Sequence, residues 1–130
     1  MKGYYITFEG PEACGKSTQI KLLGERLEKE GYPLLLTKEP GAVLDGAIRA
    51  ILLNPKFKLH PKTESFLFWA DRIEHHETVV KPALGEGKIV LGDRDFDSSW
   101  AYQHYGRGLA HDWMKQAHAL AVEEFKPDLT

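Results

Sequence analysis

The chain has 130 residues, 42% apolar and 28% charged, with 17 basic against 19 acidic side chains and a net charge of −2. That suits one soluble globular domain and offers no basic field to recruit nucleic acid. Its single cysteine excludes an internal disulfide. Apolar runs such as Pro33-Leu34-Leu35-Leu36 are far too short to span a membrane, and no apolar leader follows Met1-Lys2. A cytoplasmic protein without a membrane partner is expected.

In chain order, the first element is a strand over Tyr4–Glu9, β-branched and aromatic between Gly3 and Gly10. A helix follows, in which Ile20, Leu23 and Leu27 recur at helical spacing until Gly31 closes it. Leu34–Thr37 reads as a second strand, and Ala47–Leu53 as a short helix. A long helix spans about Lys62–Leu84, with Pro61 in its first turn and Pro82 expected to kink or end it. Ile89–Gly92 is a third strand. A further amphipathic helix runs from Asp112 to Glu124, with Trp113, Met114, Ala117, Leu120 and Ala121 as its core side. Strands alternating with helices, each strand apolar throughout, predict a parallel sheet covered on both faces. Lys126-Pro127-Asp128-Leu129-Thr130 reads as a loop entering a fourth strand beside the first. The expectation is therefore a single domain, 1–130, cut in mid-fold with the first strand an open edge.

Between the first strand and first helix lies Gly10-Pro11-Glu12-Ala13-Cys14-Gly15-Lys16-Ser17, a full match to G-x-x-x-x-G-K-[ST]. Backbone N–H groups and a helix N-terminus there face one point and cradle phosphate oxygens. Lys16 is expected to reach the outer phosphates and Ser17 to hold Mg²⁺. Strand–loop–helix is the setting this motif requires. The fold class expected is α/β, of the three-layer phosphate-loop NTPase type, binding a nucleoside triphosphate along Gly10–Thr18.

Three other clusters carry chemistry. Asp93 and Arg94 close the third strand, where open α/β sheets bind ligands: Asp93 suits Mg²⁺ and Arg94 a phosphate. The bland alternative is a structural Asp93–Arg94 ion pair. Asp97 or Ser98 is expected to cap a short helix that sets Ser99, Tyr102 and Gln103 on one face. After the second strand, Thr37-Lys38-Glu39-Pro40-Gly41 forces a turn, and Lys38 and Arg49 are candidates for a second phosphate. On the long helix, Phe68 and Arg72 lie one turn apart. Such a pair can stack a flat ring and donate to its edge, but spacing alone favours a core Phe68 and a solvated Arg72.

The six histidines do not read as a metal site. His75 and His76 diverge by about 100° on a regular helix and are not expected to converge on one ion. Surface or packing roles are expected for them and for His111 and His118.

Taken together, Phe8-Glu9-Gly10 with the phosphate loop, Thr37–Gly41, Phe66-Leu67-Phe68-Trp69-Ala70-Asp71-Arg72, Asp93-Arg94 with Asp97–Gln103, and Pro127–Thr130 closely resemble thymidylate kinase along the whole chain. The resemblance implies transfer of the ATP γ-phosphoryl group to dTMP with Mg²⁺, by a cytosolic homodimer. It implies that Phe68 stacks on thymine while Arg72, Ser99 and Gln103 bond its edge. Arg49 and Arg94 would hold the monophosphate, and Glu39, Tyr102 and Glu12 would surround the sugar and acceptor side. Lys16, Arg94 and Glu12 are the expected catalytic groups, with Ser17 and Asp93 for the metal.

The chain departs from the family pattern at Lys38, where Arg is usual, at Ala42 and Asp95, and at Ala13-Cys14 in the loop. In the family subgroup whose phosphate loop carries no arginine, a later lid supplies it; Glu12-Ala13-Cys14 carries no cation, so little or no activity is expected of these 130 residues alone. The rival readings are another small-molecule phosphate-loop kinase and a switch GTPase or non-catalytic nucleotide-binding module. The absence of an Asn-Lys-x-Asp motif counts against a GTPase.

Overall fold

The computed structural model describes residues 2–130. Strands β1 (Tyr4–Phe8), β2 (Leu34–Lys38) and β3 (Ile89–Asp93) form a parallel sheet in the order β1-β3-β2. β3 is central and buried from Ile89 to Gly92, which explains its unbroken apolar run. The helices are α1 (Lys16–Lys29), α2 (Ala47–Leu52), α3 (Pro61–His75), α4 (Lys81–Gly85), α5 (Phe96–Ser99) and α6 (His111–Val122). On one face of the sheet, α1 packs Ile20, Leu23 and Leu27 against Ile6, Ile89 and Leu91. On the other, Val80, Ala83 and Leu84 close over Tyr5, Val90 and Leu35. The three-layer α/β architecture is as expected.

The start of a fourth strand also lies beside β1. Ile6 pairs with Leu129 in a parallel bridge, Thr7 N–H donates to Leu129 O at 2.9 Å, and Asp128 Oδ2 accepts from Tyr5 N–H at 2.8 Å. Part of the edge of β1 is thereby covered.

Pro82 does not itself end the long helix. A π-helical turn over His76–Val80 separates α3 from α4, and the helix continues to Gly85. The wider turn relieves the clash a proline ring makes with the carbonyl one turn back. A second π-helical turn, Trp100–Gly106, extends α5. α6 packs on α3 through Met114 and Trp69, with Trp113, Ala117 and Ala121 partly buried around them. Leu120, expected in that core, is 86% exposed. Its helix face is apolar but projects beyond the cover that α3 provides.

Candidate functional site

The phosphate loop turns through Ala13 at φ 59° and Gly15 at φ 91°. Glycine takes such angles freely, whereas alanine at this position costs about 1–2 kcal/mol. No side chain caps the N-terminus of α1, which leaves its first N–H groups for a ligand. The loop from Pro11 to Gly15 is exposed, as are Ser17 and Thr18, while Lys16 is half-buried. Lys16 Nζ lies 2.7 Å from Asp93 Oδ1 at the end of β3. The alternative of an Asp93–Arg94 pair is thus replaced: Arg94 Nη1 donates instead to Ser98 Oγ at 3.1 Å.

Beside the loop opens a cleft of about 350 Å³. Of the residues expected at the monophosphate, Glu39, Arg49, Phe68, Arg72, Arg94, Ser99, Tyr102 and Gln103 line it, joined by Glu12 from the loop. β2, α2, α3, the β3 terminus and the second π-helical turn each deliver part of this wall. Arg94 holds φ 74°, a left-handed conformation rare outside glycine, and its guanidinium lies over the Tyr102 ring at 5.5 Å. Arg49 Nη1 donates to Pro40 O at 3.2 Å. A Cβ on Gly41 (φ 107°) would fall 2.6 Å from Arg49 Cδ, so only glycine lets Arg49 cross the turn. Asp71 fastens the same turn by accepting from Gly41 N–H at 3.2 Å.

Lys38 does not accompany Arg49. It lies with Ser17, Thr37 and Asp93 on a separate cavity of about 520 Å³ next to α1. Ser17 and Asp93, the expected metal ligands, therefore line the same cavity.

Arg72 is not solvated. It is 2% exposed, its Nε 2.8 Å from Glu39 Oε2 and 3.0 Å from Asp95 Oδ1, and its Nη1 donates to Ser99 Oγ at 3.1 Å. Phe68 is half-buried on the cleft wall instead of sealed in the core. His75 and His76 are buried and do converge, against expectation, where α3 meets the π-helical turn. His75 Nδ1 lies 2.8 Å and His76 Nε2 3.4 Å from Glu39 Oε1. Burial pushes the Glu39 carboxyl up, but Arg72 and the two histidines outweigh it and hold the group well below the usual carboxylate range. Glu39, His75 and His76 are ligand-type groups, yet the other oxygen of Glu39 is taken by Arg72, so the trio forms a hydrogen-bonded charge cluster.

Several residues that matter were not singled out from the sequence. Asp95, seen only as a departure, caps α5 by accepting from Phe96 N–H, a role expected of Asp97 or Ser98. Ser98 instead donates to Glu9 Oε2 at 2.5 Å, while Glu9 Oε1 accepts from Asp95 N–H at 2.7 Å. Burial raises the Glu9 carboxyl. Gln103 is oriented by Glu64, whose Oε1 accepts from Nε2 at 3.1 Å. Glu64 stands one turn before Phe68 on α3, and that spacing is the signal in the sequence for the contact.

A family model described as thymidylate kinase matches residues 8–130. The thymidylate kinase of Halothermothrix orenii is 47% identical over 131 residues, covering 100% of this chain and 63% of that protein. That of Pelotomaculum thermopropionicum is 50% identical over 131 residues, covering 99% and 61%. The crystal structure of thymidylate kinase from Ehrlichia chaffeensis superposes with a TM-score of 0.88 at 37% identity, over 98% of this chain and 69% of that one. The chain thus spans little more than three-fifths of the length of these curated relatives.

Proposed function

The chain belongs to the thymidylate kinase family, and from that premise we propose that it serves transfer of the γ-phosphoryl group of ATP to dTMP, giving ADP and dTDP. The observation that carries this reading is the convergence of Glu12, Glu39, Arg49, Phe68, Arg72, Arg94, Ser99, Tyr102 and Gln103 on one cleft beside a complete phosphate loop.

ATP lies along Gly10–Thr18, with its phosphates on the N–H groups of the loop and the first turn of α1. An oxygen of the dTMP phosphate attacks the γ-phosphorus as the bond to the β-phosphate oxygen breaks. Lys16 neutralises charge on the transferring group, which is where most catalysis of phosphoryl transfer resides. Arg94 and Arg49 hold the acceptor phosphate, Arg94 already fixed by its backbone and by Ser98. Phe68 stacks on the base, and Arg72, Ser99 and Gln103 read its edge. Glu39, Tyr102 and Glu12 border the sugar and acceptor side.

Ser17 and Asp93 offer hydroxyl and carboxylate oxygens to one cavity, a hard donor set that fits Mg²⁺ better than a softer ion. Bound there, Mg²⁺ neutralises phosphate charge and orients the triphosphate.

We place the protein in the cytoplasm as a homodimer. Among the described residues no helix is long and apolar enough to cross a membrane. For the dimer, Phe66 (58% exposed), Ile73 (40%) and Leu120 (86%) form with Trp113 an apolar face on α3 and α6. Nucleic acid is no partner, given the net charge of −2.

The test is ADP release from ATP with a panel of nucleoside monophosphates, run on this chain and on any longer protein containing it. Preference for dTMP supports the reading. Equal or greater turnover with another monophosphate refutes it.

A further inference from the structure

Behind the cleft, Glu39 and Asp95 are two buried carboxylates facing a single guanidinium, that of Arg72. Their oxygens are almost wholly out of contact with water and need hydrogen-bond donors from the protein. His75 serves only Glu39: its Nδ1 donates to Glu39 Oε1, and its Nε2 lies 2.6 Å from Thr37 Oγ1. The Tyr5 hydroxyl makes no hydrogen bond of ordinary geometry but lies near Asp95, and burial with the Asp95 and Glu39 carboxylates raises its titration far above the ordinary phenol value, so it stays protonated.

His76 is different. Its Nε2 lies 3.3 Å from Asp95 Oδ2 and 3.4 Å from Glu39 Oε1, and both of these are acceptors. We infer that His76 is a positioning residue for the acceptor cleft: its ring N–H, set between Glu39 and Asp95, completes the buried hydrogen-bond set that keeps Arg72 aimed at the bound base. The inference rests on the reading of the cleft given above. The ring is enclosed by groups from every element packed around it. Tyr5 approaches from β1, Glu39 from the end of β2, Arg72 and His75 from α3, Asp95 from the end of β3, and His118 from α6. Phe125 packs edge-on to the ring at 4.8 Å, while Glu77 and Lys81, on the same helical stretch, pair with each other. Burial alone would lower the imidazole, but the hydrogen bonds to Asp95 and Glu39 outweigh it and raise it.

The substitution His76→Leu removes the donor, whereas His76→Gln keeps an N–H group near the same point. Two readouts separate this proposal from the functional one. Calorimetry with dTMP measures the cleft, and the Arg72 Nε–H resonance measures guanidinium order without any ligand. His76→Leu should weaken dTMP by about tenfold or more and broaden or lose the Arg72 signal, and His76→Gln should restore much of both. A His76→Leu protein with normal dTMP binding and an unchanged Arg72 signal overturns the inference. So does a His76→Gln protein as impaired as His76→Leu. If wild type binds no dTMP, the functional reading falls, and the Arg72 signal of the variants still decides the role of His76. If His76→Leu does not fold, nitrogen shifts of wild-type His76 decide: a proton on Nε2 supports the donor between Glu39 and Asp95, and an unprotonated Nε2 overturns it.

Discussion

Lys16 Nζ and Asp93 Oδ1 meet at 2.7 Å, joining the phosphate loop to the carboxyl end of β3. The contact puts the cation expected on the transferring phosphoryl group beside the carboxylate expected to serve Mg²⁺. In a longer protein that contains this chain, Lys16→Ala should therefore lower kcat by about 10²–10³, the usual loss when one preorganised charge is removed from a transition state. Asp93→Asn should bind ATP without added metal nearly as well as wild type while losing most of the gain from Mg²⁺. ADP release and nucleotide titration with and without Mg²⁺ check both. Near-normal turnover by Lys16→Ala would remove the loop from the reaction.

Phe68 is half-buried and faces the cleft, so shortening it opens little of the core. Phe68→Ala should weaken dTMP by about 1–3 kcal/mol, the size of a lost base–aromatic stack, and leave the melting temperature nearly unchanged. Wild type should bind dTMP ahead of dCMP and dGMP. Calorimetry that ranks dCMP or a purine first would break the assignment of Phe68 and Arg72 to the base.

Arg72 should behave in the opposite way, because Glu39 and Asp95 remain buried when it is removed. Arg72→Met should cost about 3–5 kcal/mol of stability as well as dTMP binding. The pH dependence of the fold follows from the same cluster. Glu39 is held below its ordinary 4.5, so its contribution is present above about that pH and fades as pH falls toward the lowered value. His76 is raised above its ordinary 6.5, so its contribution is complete below that pH and is lost as pH climbs through the raised value. Thermal unfolding across pH should show a maximum between these limits. Arg72→Met melting like wild type would show that the pair contributes nothing to the fold.

Much of this architecture is legible in the sequence, for physical reasons. β3 is buried on both faces and so reads as an uninterrupted apolar run, and the phosphate loop is legible because its chemistry demands fixed spacing. The bypass of Pro82 is not legible, since a π-helical turn has no compositional mark and its hydrogen bonds depend on what packs around it. Arg72 shows why spacing fails inside the site. Its counterions come from the ends of β2 and β3, far away in the chain, and local pattern can only describe such an arginine as solvated. Arg72 lines the cleft, but nothing in the motif marked Asp95 or His76 as its supports. Leu120 is the converse case: helical period identifies an apolar face without saying whether anything in the chain covers it.

Cys14 is exposed on the phosphate loop, two positions before Lys16. A group added to its sulfur would occupy the space that the phosphates need. Alkylation should therefore abolish nucleotide binding, and saturating ATP should slow the modification. Cys14→Ala should bind ATP normally and resist the reagent. Labelling at the same rate with and without ATP would place the thiol outside the nucleotide footprint.

The apolar face of α3 and α6 yields the last expectation. Phe66, Ile73 and Leu120 project from it, and Phe66 packs edge-on against Trp113 at 5.5 Å. A homodimer across this face would bury them, and each fully buried large apolar side chain contributes about 1.5–3 kcal/mol. Leu120→Glu would set a carboxylate in the middle of the interface and, by the two-fold symmetry of such contacts, bring a second one opposite it. The substitution lies on an exposed position, so the monomer fold should survive unchanged. Sedimentation should show dimer for wild type and monomer for Leu120→Glu at equal concentration, with matching circular dichroism. Wild type sedimenting as a monomer, or Leu120→Glu remaining a dimer, would move the interface away from this face.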